Sequence, residues 1–477
     1  MDFEETIHPM LRALGGAGRF YCRSPQRRAD QQQDMLSCFR GVRAAGREDR
    51  PSLGEGDKIM PRDEALERFD QLRVREVSTY DYPSASAFLA EFQSIAASLE
   101  PDERIKLKVA YTREDVELLK AVLSDPQASK ICSLKWYDGK KDVNSVAPLL
   151  TNSCPELASL EVLFDNHSAF GFVSGLLEHP SNKLKELVML DHHKGASARL
   201  FAALGQSQVS ALALRYPSRF SQNMREYLAK DLLVRLKVWM GHEQVPPEMI
   251  MSLSKCTRLA ELQLTECRFS QLTAFPKFIT KFELKSCMFV GRFDWSFLID
   301  SNVRELDLLH VSGVDGNQLG NALAVRLRAK GLDKLRFYYC GFVNETLAKV
   351  GVEIGRIKRF EGNSHLNAAS IALIALTLQS PNNEMKELKV EYTNDTVSSI
   401  ENHLVPALKH PNCNLAKLFF WAYEPEHEEV AKRMENALRN RRALFALLQG
   451  KQVRRRSSCP LRRLPVEMLR LVGKSLI

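Results

Sequence analysis

The stretch Leu259-Ala-Glu-Leu262-Gln-Leu264-Thr-Glu-Cys267-Arg-Phe269 constrains this chain most, because it repeats. Its spacing, LxxLxLxxCxF, returns with drift at Ile279, Phe282, Leu284, Cys287 and Phe289, and again at Leu332, Leu335, Phe337, Cys340 and Phe342. Apolar residues one apart, such as Leu262 and Leu264, point to the same face of a short strand, because side chains alternate along an extended chain. That face belongs to a core. The Cys position turns the chain out of the strand while its side chain reaches neighbouring backbone. A unit this small buries too little by itself, so such units must stack.

Aligned on the second apolar position, the phrase gives thirteen anchors: Leu107, Leu134, Leu160, Leu187, Leu212, Leu236, Leu262, Phe282, Leu306, Leu335, Phe360, Leu388 and Leu418. They lie 20 to 30 residues apart. Most intervals hold apolar residues at helix spacing, as in Val116-Leu118-Leu119-Val122-Leu123, Phe172-Val173-Leu176-Leu177 and Leu319-Ala322-Leu323-Val325-Leu327. The linking turns repeat as well, His179-Pro180-Ser181-Asn182-Lys183-Leu184 being echoed by His410-Pro411-Asn412-Cys413-Asn414-Leu415.

Over residues 102–423 the chain therefore resembles the leucine-rich repeat proteins, in their ribonuclease-inhibitor-like subclass, where a strand and a full helix alternate. The resemblance implies an α/β solenoid of about thirteen repeats, a horseshoe with a curved parallel sheet on its concave face and helices outside. A doubly wound open sheet is the alternative, but it needs fewer, longer strands and no phrase after each one. The units near Val209, Leu233 and Ile357 are degenerate, with Pro217, Gly241 and His365 at the Cys position. The spacing from Leu262 to Phe282 is only 20, and Pro276 interrupts it, so that unit has room for a loop or a single turn in place of a helix.

At 477 residues the chain is long for one compact globule and natural for a solenoid, whose core grows by addition. Its 44% hydrophobic and 26% charged residues suit a soluble folded protein, and no apolar run approaches the roughly 20 residues needed to span a bilayer. The acidic start Met1-Asp-Phe-Glu-Glu lacks the apolar segment of a secretory signal. Cys267, Cys287 and Cys340 occupy the turn position and read as reduced structural thiols, which places the protein in the cytoplasm or nucleus.

Residues 1–60 read as a mostly disordered, Arg-rich arm, with nine arginines between positions 11 and 60 and no sustained period. Residues 61–101 read as a helical N-terminal cap, from Ala65-Leu66-Phe69-Leu72-Val74 and Phe88-Leu89-Phe92-Ile95-Leu99 at helix spacing. Such a cap covers the otherwise exposed edge of the first repeat. Residues 424–450 read as a helical C-terminal cap with Val430, Met434, Ala437, Leu438, Leu444 and Leu447-Leu448 on its buried side. Residues 451–477 hold eight basic residues and one acid, or +7 of the net +9, with a basic patch at Arg454, Arg455 and Arg456 and a basophilic-kinase pattern through Ser457 and Ser458.

Catalytic chemistry is not signalled. Asp191-His192-His193 has no third ligand spaced nearby, His427 sits among acids at a helix start, and no phosphate loop, nucleophile elbow or HExxH occurs. The expectation is a protein without enzymatic activity or cofactor. Function in a repeat solenoid belongs to outward residues beside the core leucines. The phrase places Lys135, Tyr137, Glu161, Leu163, Arg215, Lys237, Trp239, Gln263, Lys285, Asp307, Arg336, Tyr338, Glu391, Phe419 and Trp421 there. Tyr137, Trp239, Tyr338 and Trp421 are the aromatic hot-spot candidates, with Arg215, Lys237, Asp307 and Arg336 beside them. Mixed charge along this set points to a protein partner and away from a phosphate-tracking groove.

The last stretch, with Leu464, Pro465, Glu467, Met468, Leu469, Val472 and Leu476, resembles the opening helix of an F-box. That resemblance implies a handle for a cullin-ligase adaptor, with the solenoid as the substrate receptor of a ubiquitin ligase. A monomeric interaction scaffold is the expected function. The alternative is a nucleic-acid or anionic-membrane binder acting through the basic tail, separable by its steep salt dependence.

Overall fold

The computed structural model describes residues 73–79, 84–110, 115–137, 143–163, 168–189, 198–215, 222–270, 275–291, 293–363, 366–391, 397–421, 430 and 432–439. Strands β1 (Arg73–Ser78), β2 (Glu103–Ala110), β3 (Ile131–Tyr137), β4 (Ser159–Leu163), β5 (Glu186–Met189), β6 (Ala211–Arg215), β7 (Arg235–Trp239) and β8 (Glu261–Thr265) come first. They are followed by β9 (Arg268–Phe269), β10 (Lys281–Lys285), β11 (Met288–Phe289), β12 (Glu305–Leu309), β13 (Leu332–Tyr338), β14 (Ile357–Asn363), β15 (Glu387–Glu391) and β16 (Lys417–Trp421).

Fourteen of these form one sheet in strict chain order, with β9 and β11 forming a second, two-stranded one. Every pairing is parallel. The thirteen anchors form an unbroken row, Leu107 opposite Leu134 and so on to Leu388 opposite Leu418. Sequential order and shared register are what stacked identical units require, so the chain is an α/β solenoid of leucine-rich-repeat type. The anchor row and the apolar row two residues on join residues from the helices in one continuous core.

A fourteenth rung precedes the thirteen. Val74, expected on a helix of the N-terminal cap, lies in β1, whose Val77 pairs with Leu107 and is buried. The edge of β2 would otherwise leave a row of N–H and C=O groups unpaired, and satisfying them decides a segment whose apolar spacing fits either conformation. The expected helix at Phe88 and Phe92 spans Ala85–Ser98, begins under the Ser84 hydroxyl, which accepts from the Ala87 N–H at 3.2 Å, and buries both rings. At the other end, Val430, Met434, Ala437 and Leu438 join the core, while Leu444, Leu447 and Leu448 lie outside the described residues.

In the short unit between β8 and β10 no helix occurs among the described residues, and rings fill the space instead. Phe275 stacks on Phe297 at 4.0 Å and meets Phe282 edge-on at 4.7 Å, while Phe293 packs on Trp295 at 4.6 Å. The repeat turns behave as their composition demands. Cys267 Sγ donates to the Thr265 carbonyl at 3.3 Å, and Cys287 Sγ and Cys340 Sγ donate to Leu264 and Leu308 carbonyls of the preceding rungs. In the two His-Pro turns the imidazole Nδ1 of His179 or His410 accepts the backbone N–H two residues on.

Candidate functional site

The residues between and beside the two core positions of each strand lie on the sheet face that carries no helices. One row of them runs Lys135, Glu161, Val188, Ala213, Lys237, Gln263, Glu283, Asp307, Arg336, Glu361, Lys389 and Phe419 in parallel register. Adjacent strands lie about 4.8 Å apart, so charges of opposite sign on neighbouring strands fall within contact distance. Lys135 pairs with Glu161, Lys334 with Asp307 at 3.0 Å, and Arg336 and Lys389 both with Glu361 at 3.1 Å. Arg359 and Lys417 flank Glu387 in the same manner, at 2.6 and 2.9 Å. Burial pushes the Glu387 carboxyl up, but the Lys417 hydrogen bond and the two cations outweigh it and hold it below the ordinary carboxylate value. In these pairs the cations stay partly exposed while Glu161, Asp307 and Glu361 are buried, so loss of a cation leaves a desolvated carboxylate unpaired, and the pairing fixes where the long side chains point.

The aromatic candidates divide. Tyr137 and Trp239 are 1% and 3% exposed, and so are not the open anchors the repeat phrase suggests. They lie outside the main core, and the Tyr137 hydroxyl donates to Glu161 Oε1 at 2.8 Å. The physical reason is the strand spacing: a ring on a sheet face touches its in-register neighbours on both sides, here Leu163 for Tyr137 and Arg215 and Thr265 for Trp239. Arg215 and Lys237 are partly buried, and burial lowers the Lys237 ammonium against the opposing pull of Glu283 and Glu261. Asp307 is buried. Trp421 lies in β16, its side chain outside the described residues.

Tyr338 and Arg336 are different, because they enter an open cluster. The Arg336 guanidinium sits 5.6 Å from the centre of the Tyr338 ring. Tyr338 meets Tyr339 edge-on at 4.6 Å, and His310 stacks on Tyr339 at 5.1 Å. Tyr339 keeps 42% of its surface exposed. Through Glu361 this cluster connects to Lys389, whose ammonium lies 5.2 Å from the Phe419 ring, itself 46% exposed. Cation, ring and carboxylate thus alternate across β13–β16, each holding the next in place. Burial, with Lys285 nearby, lowers His310 and keeps its ring neutral for stacking.

Local backbone explains how the rim rings are aimed. Glu266, Ser286, His310 and Tyr339, one per rung, have φ of 53°, 53°, 51° and 50°. The N–H groups of Glu266, Ser286 and His310 donate to the next rung's carbonyl, at 2.8, 2.7 and 2.7 Å. The sheet ladder therefore continues through the turn, and the left-handed residue carries its side chain out to the rim.

Glu283, His310 and Tyr339 were missing from the residues the repeat phrase proposes. Glu283 is legible by the same rule, lying between Phe282 and Leu284. No spacing rule marks His310 or Tyr339, whose position follows from turn geometry. Asp191, His192, His193, His427, Arg454, Arg455, Arg456, Leu464, Pro465, Glu467, Met468, Leu469 and Val472 lie outside the described residues. Among the described residues no group of three or more His, Cys, Asp or Glu is placed to hold a metal ion, and no helix is long and apolar enough to cross a membrane.

No protein-family model matches the sequence, and no curated protein matches it. Among solved structures, a leucine-rich repeat protein of Leptospira interrogans aligns with 75% of this chain and 98% of its own, at 11% identity and a TM-score of 0.34. A likeness that low carries nothing about function, and the repeat fold of this chain rests on its own sheet order and register.

Proposed function

We propose that this chain is a non-catalytic recognition scaffold that binds a protein partner on the helix-free face of its sheet, over β10–β16. The observation that carries the reading is the open, pre-ordered relay of Tyr339, Tyr338, Arg336, Glu361, Lys389 and Phe419. Tyr and Arg held rigidly at a surface lose little side-chain freedom on binding, which is why they dominate protein interfaces. The internal pairing of charge along the sheet agrees with a protein partner, since a phosphate-tracking surface needs cations left over. In the same reading the strand-and-helix alternation is that of the ribonuclease-inhibitor-like subclass, and the F-box-like stretch through Leu464, Pro465 and Met468 is an adaptor handle.

One affinity-capture experiment tests these parts together, with the full chain, a chain ending at Gly450, and a Tyr338→Ala/Tyr339→Ala variant whose circular dichroism matches wild type. The expected result is a partner lost with the tyrosine variant and a cullin-ligase adaptor lost with the shortened chain. A partner set unchanged by the tyrosine variant sinks the recognition face. An adaptor that never appears sinks the handle, and a partner retained only by the full chain and stripped by moderate salt marks the basic tail as the binder.

A further inference from the structure

Over β13–β16 the ion pairs of the helix-free face are layered. The side chains of Asp307, Glu361 and Glu387 are only 4 to 14% exposed, whereas those of their partners Lys334, Arg336, Lys389, Arg359 and Lys417 are 15 to 49% exposed. Carboxylates form the floor and cations stand over them. Charge here is close to balanced, because Glu391 is buried on the same face and Glu305 and Asp307 stand at its border on β12. What the surface offers a partner is therefore unused donors, not excess charge.

The donors belong to two arginines. Arg336 reaches Glu361 through Nε at 3.1 Å, and Arg359 reaches Glu387 through Nε at 2.6 Å. Neither guanidinium makes an ion pair or hydrogen bond with any other residue among the described residues. Arg359 is exposed, and half-buried Arg336 has no nitrogen buried without a partner, so its free Nη1 and Nη2 reach solvent. A guanidinium is planar, with five N–H donors in a rigid fork, and a contact through Nε holds it from the side. The Nη1–Nη2 end, which matches a carboxylate edge to edge, stays open. The Tyr338 ring, 5.6 Å from the Arg336 guanidinium, helps to fix that direction before anything binds. Because Lys334 faces Arg359 and Arg336 faces Glu361 in register, the two arginines are diagonal neighbours, about 8 Å apart at the backbone.

Resting on the recognition-face reading above, we propose that the protein partner enters this face with an acidic, extended segment whose carboxylates take the open forks of Arg336 and Arg359. Acids two residues apart in an extended chain point to one side and lie about 7 Å from each other, which matches the diagonal spacing of the forks. The exposed rings of Tyr339 and Phe419, at the rim after β13 and on β16, receive the apolar flanks of the same segment. Nucleic acid fits less well, because a phosphate backbone draws its affinity from cations in excess, and here acids match them.

The test is fluorescence anisotropy of labelled hexa-glutamate, hexa-glutamine and hexathymidylate with the full chain at about 0.15 M ionic strength, where long-range attraction is largely screened. Hexa-glutamate should bind best and hexa-glutamine should not bind. Arg336→Lys and Arg359→Lys keep a cation over Glu361 and Glu387 but remove the fork, so each should weaken hexa-glutamate binding about tenfold, the scale of one hydrogen bond to a charged group. Their unfolding temperatures should match wild type. Arg454→Gln/Arg455→Gln/Arg456→Gln, in the basic tail, should leave the binding unchanged. No binding by wild type, binding that survives both lysine variants, binding lost with the tail variant instead, or a loss that comes with a lowered unfolding temperature overturns the proposal. So does hexathymidylate binding that is tighter than that of hexa-glutamate and falls in the same lysine variants. If captured partners are lost with Tyr338→Ala/Tyr339→Ala but kept by Arg336→Lys/Arg359→Lys, the acidic segment falls and the recognition face stands. If neither set of changes loses them, both fall.

Discussion

At Tyr339 backbone and side chain pull in opposite directions. A φ of 50° is a conformation that costs a residue with a Cβ about 1–2 kcal/mol, while the ring it carries stands exposed on the rim. Glycine relieves the backbone and removes the ring. Tyr339→Gly should therefore leave the stability to urea unchanged or higher by about 1 kcal/mol, yet lose partner binding; a destabilised variant would mean that the ring supports the fold instead. Residues differ in how far the sequence alone exposes them. Leu262 and Leu264 are legible because period-two spacing leaves one choice of core face. Tyr137 and Trp239 are not, because the same spacing places a ring on the helix-free face without saying whether neighbours in register close over it.

Elements follow the same division. Helix Gly316–Lys330 is readable from Leu319, Leu323 and Leu327, and its ends from Asp315, whose carboxylate accepts from the Asn317 and Gln318 N–H groups, and from Gly331 at φ 66°. What the spacing does not announce is how close the next helix comes. A Cβ on Gly320 would sit 2.6 Å from the Lys349 Cβ and 2.7 Å from the Thr346 carbonyl oxygen of helix Val343–Val350. Gly320→Ala should destabilise the chain by about 1–3 kcal/mol in urea unfolding, the overpacking cost exceeding alanine's helix preference of about 1 kcal/mol. A stabilised variant would show that the two helices have room to separate. Strand β1 was illegible for a related reason: pairing with the edge of β2, a tertiary demand, overrides the local spacing around Val74. The missing helix after β8 was legible from length alone, but the aromatic packing that replaces it was not.

At the scale of the molecule, repetition supplies a long, regular sheet, and departures from repetition supply the candidate site. The anchors are uniform, whereas the opposite row passes from the charged pair Lys135 and Glu161 through small, apolar Val188 and Ala213 to mostly charged residues from Lys237 onward, ending at the Phe419 ring. A partner reading this face should dock over the later strands and leave the helical side free. The most direct measurement is site-specific photo-crosslinking in cell extract, with a benzoylphenylalanine replacing Tyr339, Phe419 or Leu376, the last being an exposed apolar residue on the helix Ala368–Leu378. The account predicts one common crosslinked protein from positions 339 and 419 and none from 376. Crosslinking to that protein from position 376, with positions 339 and 419 silent, would contradict it.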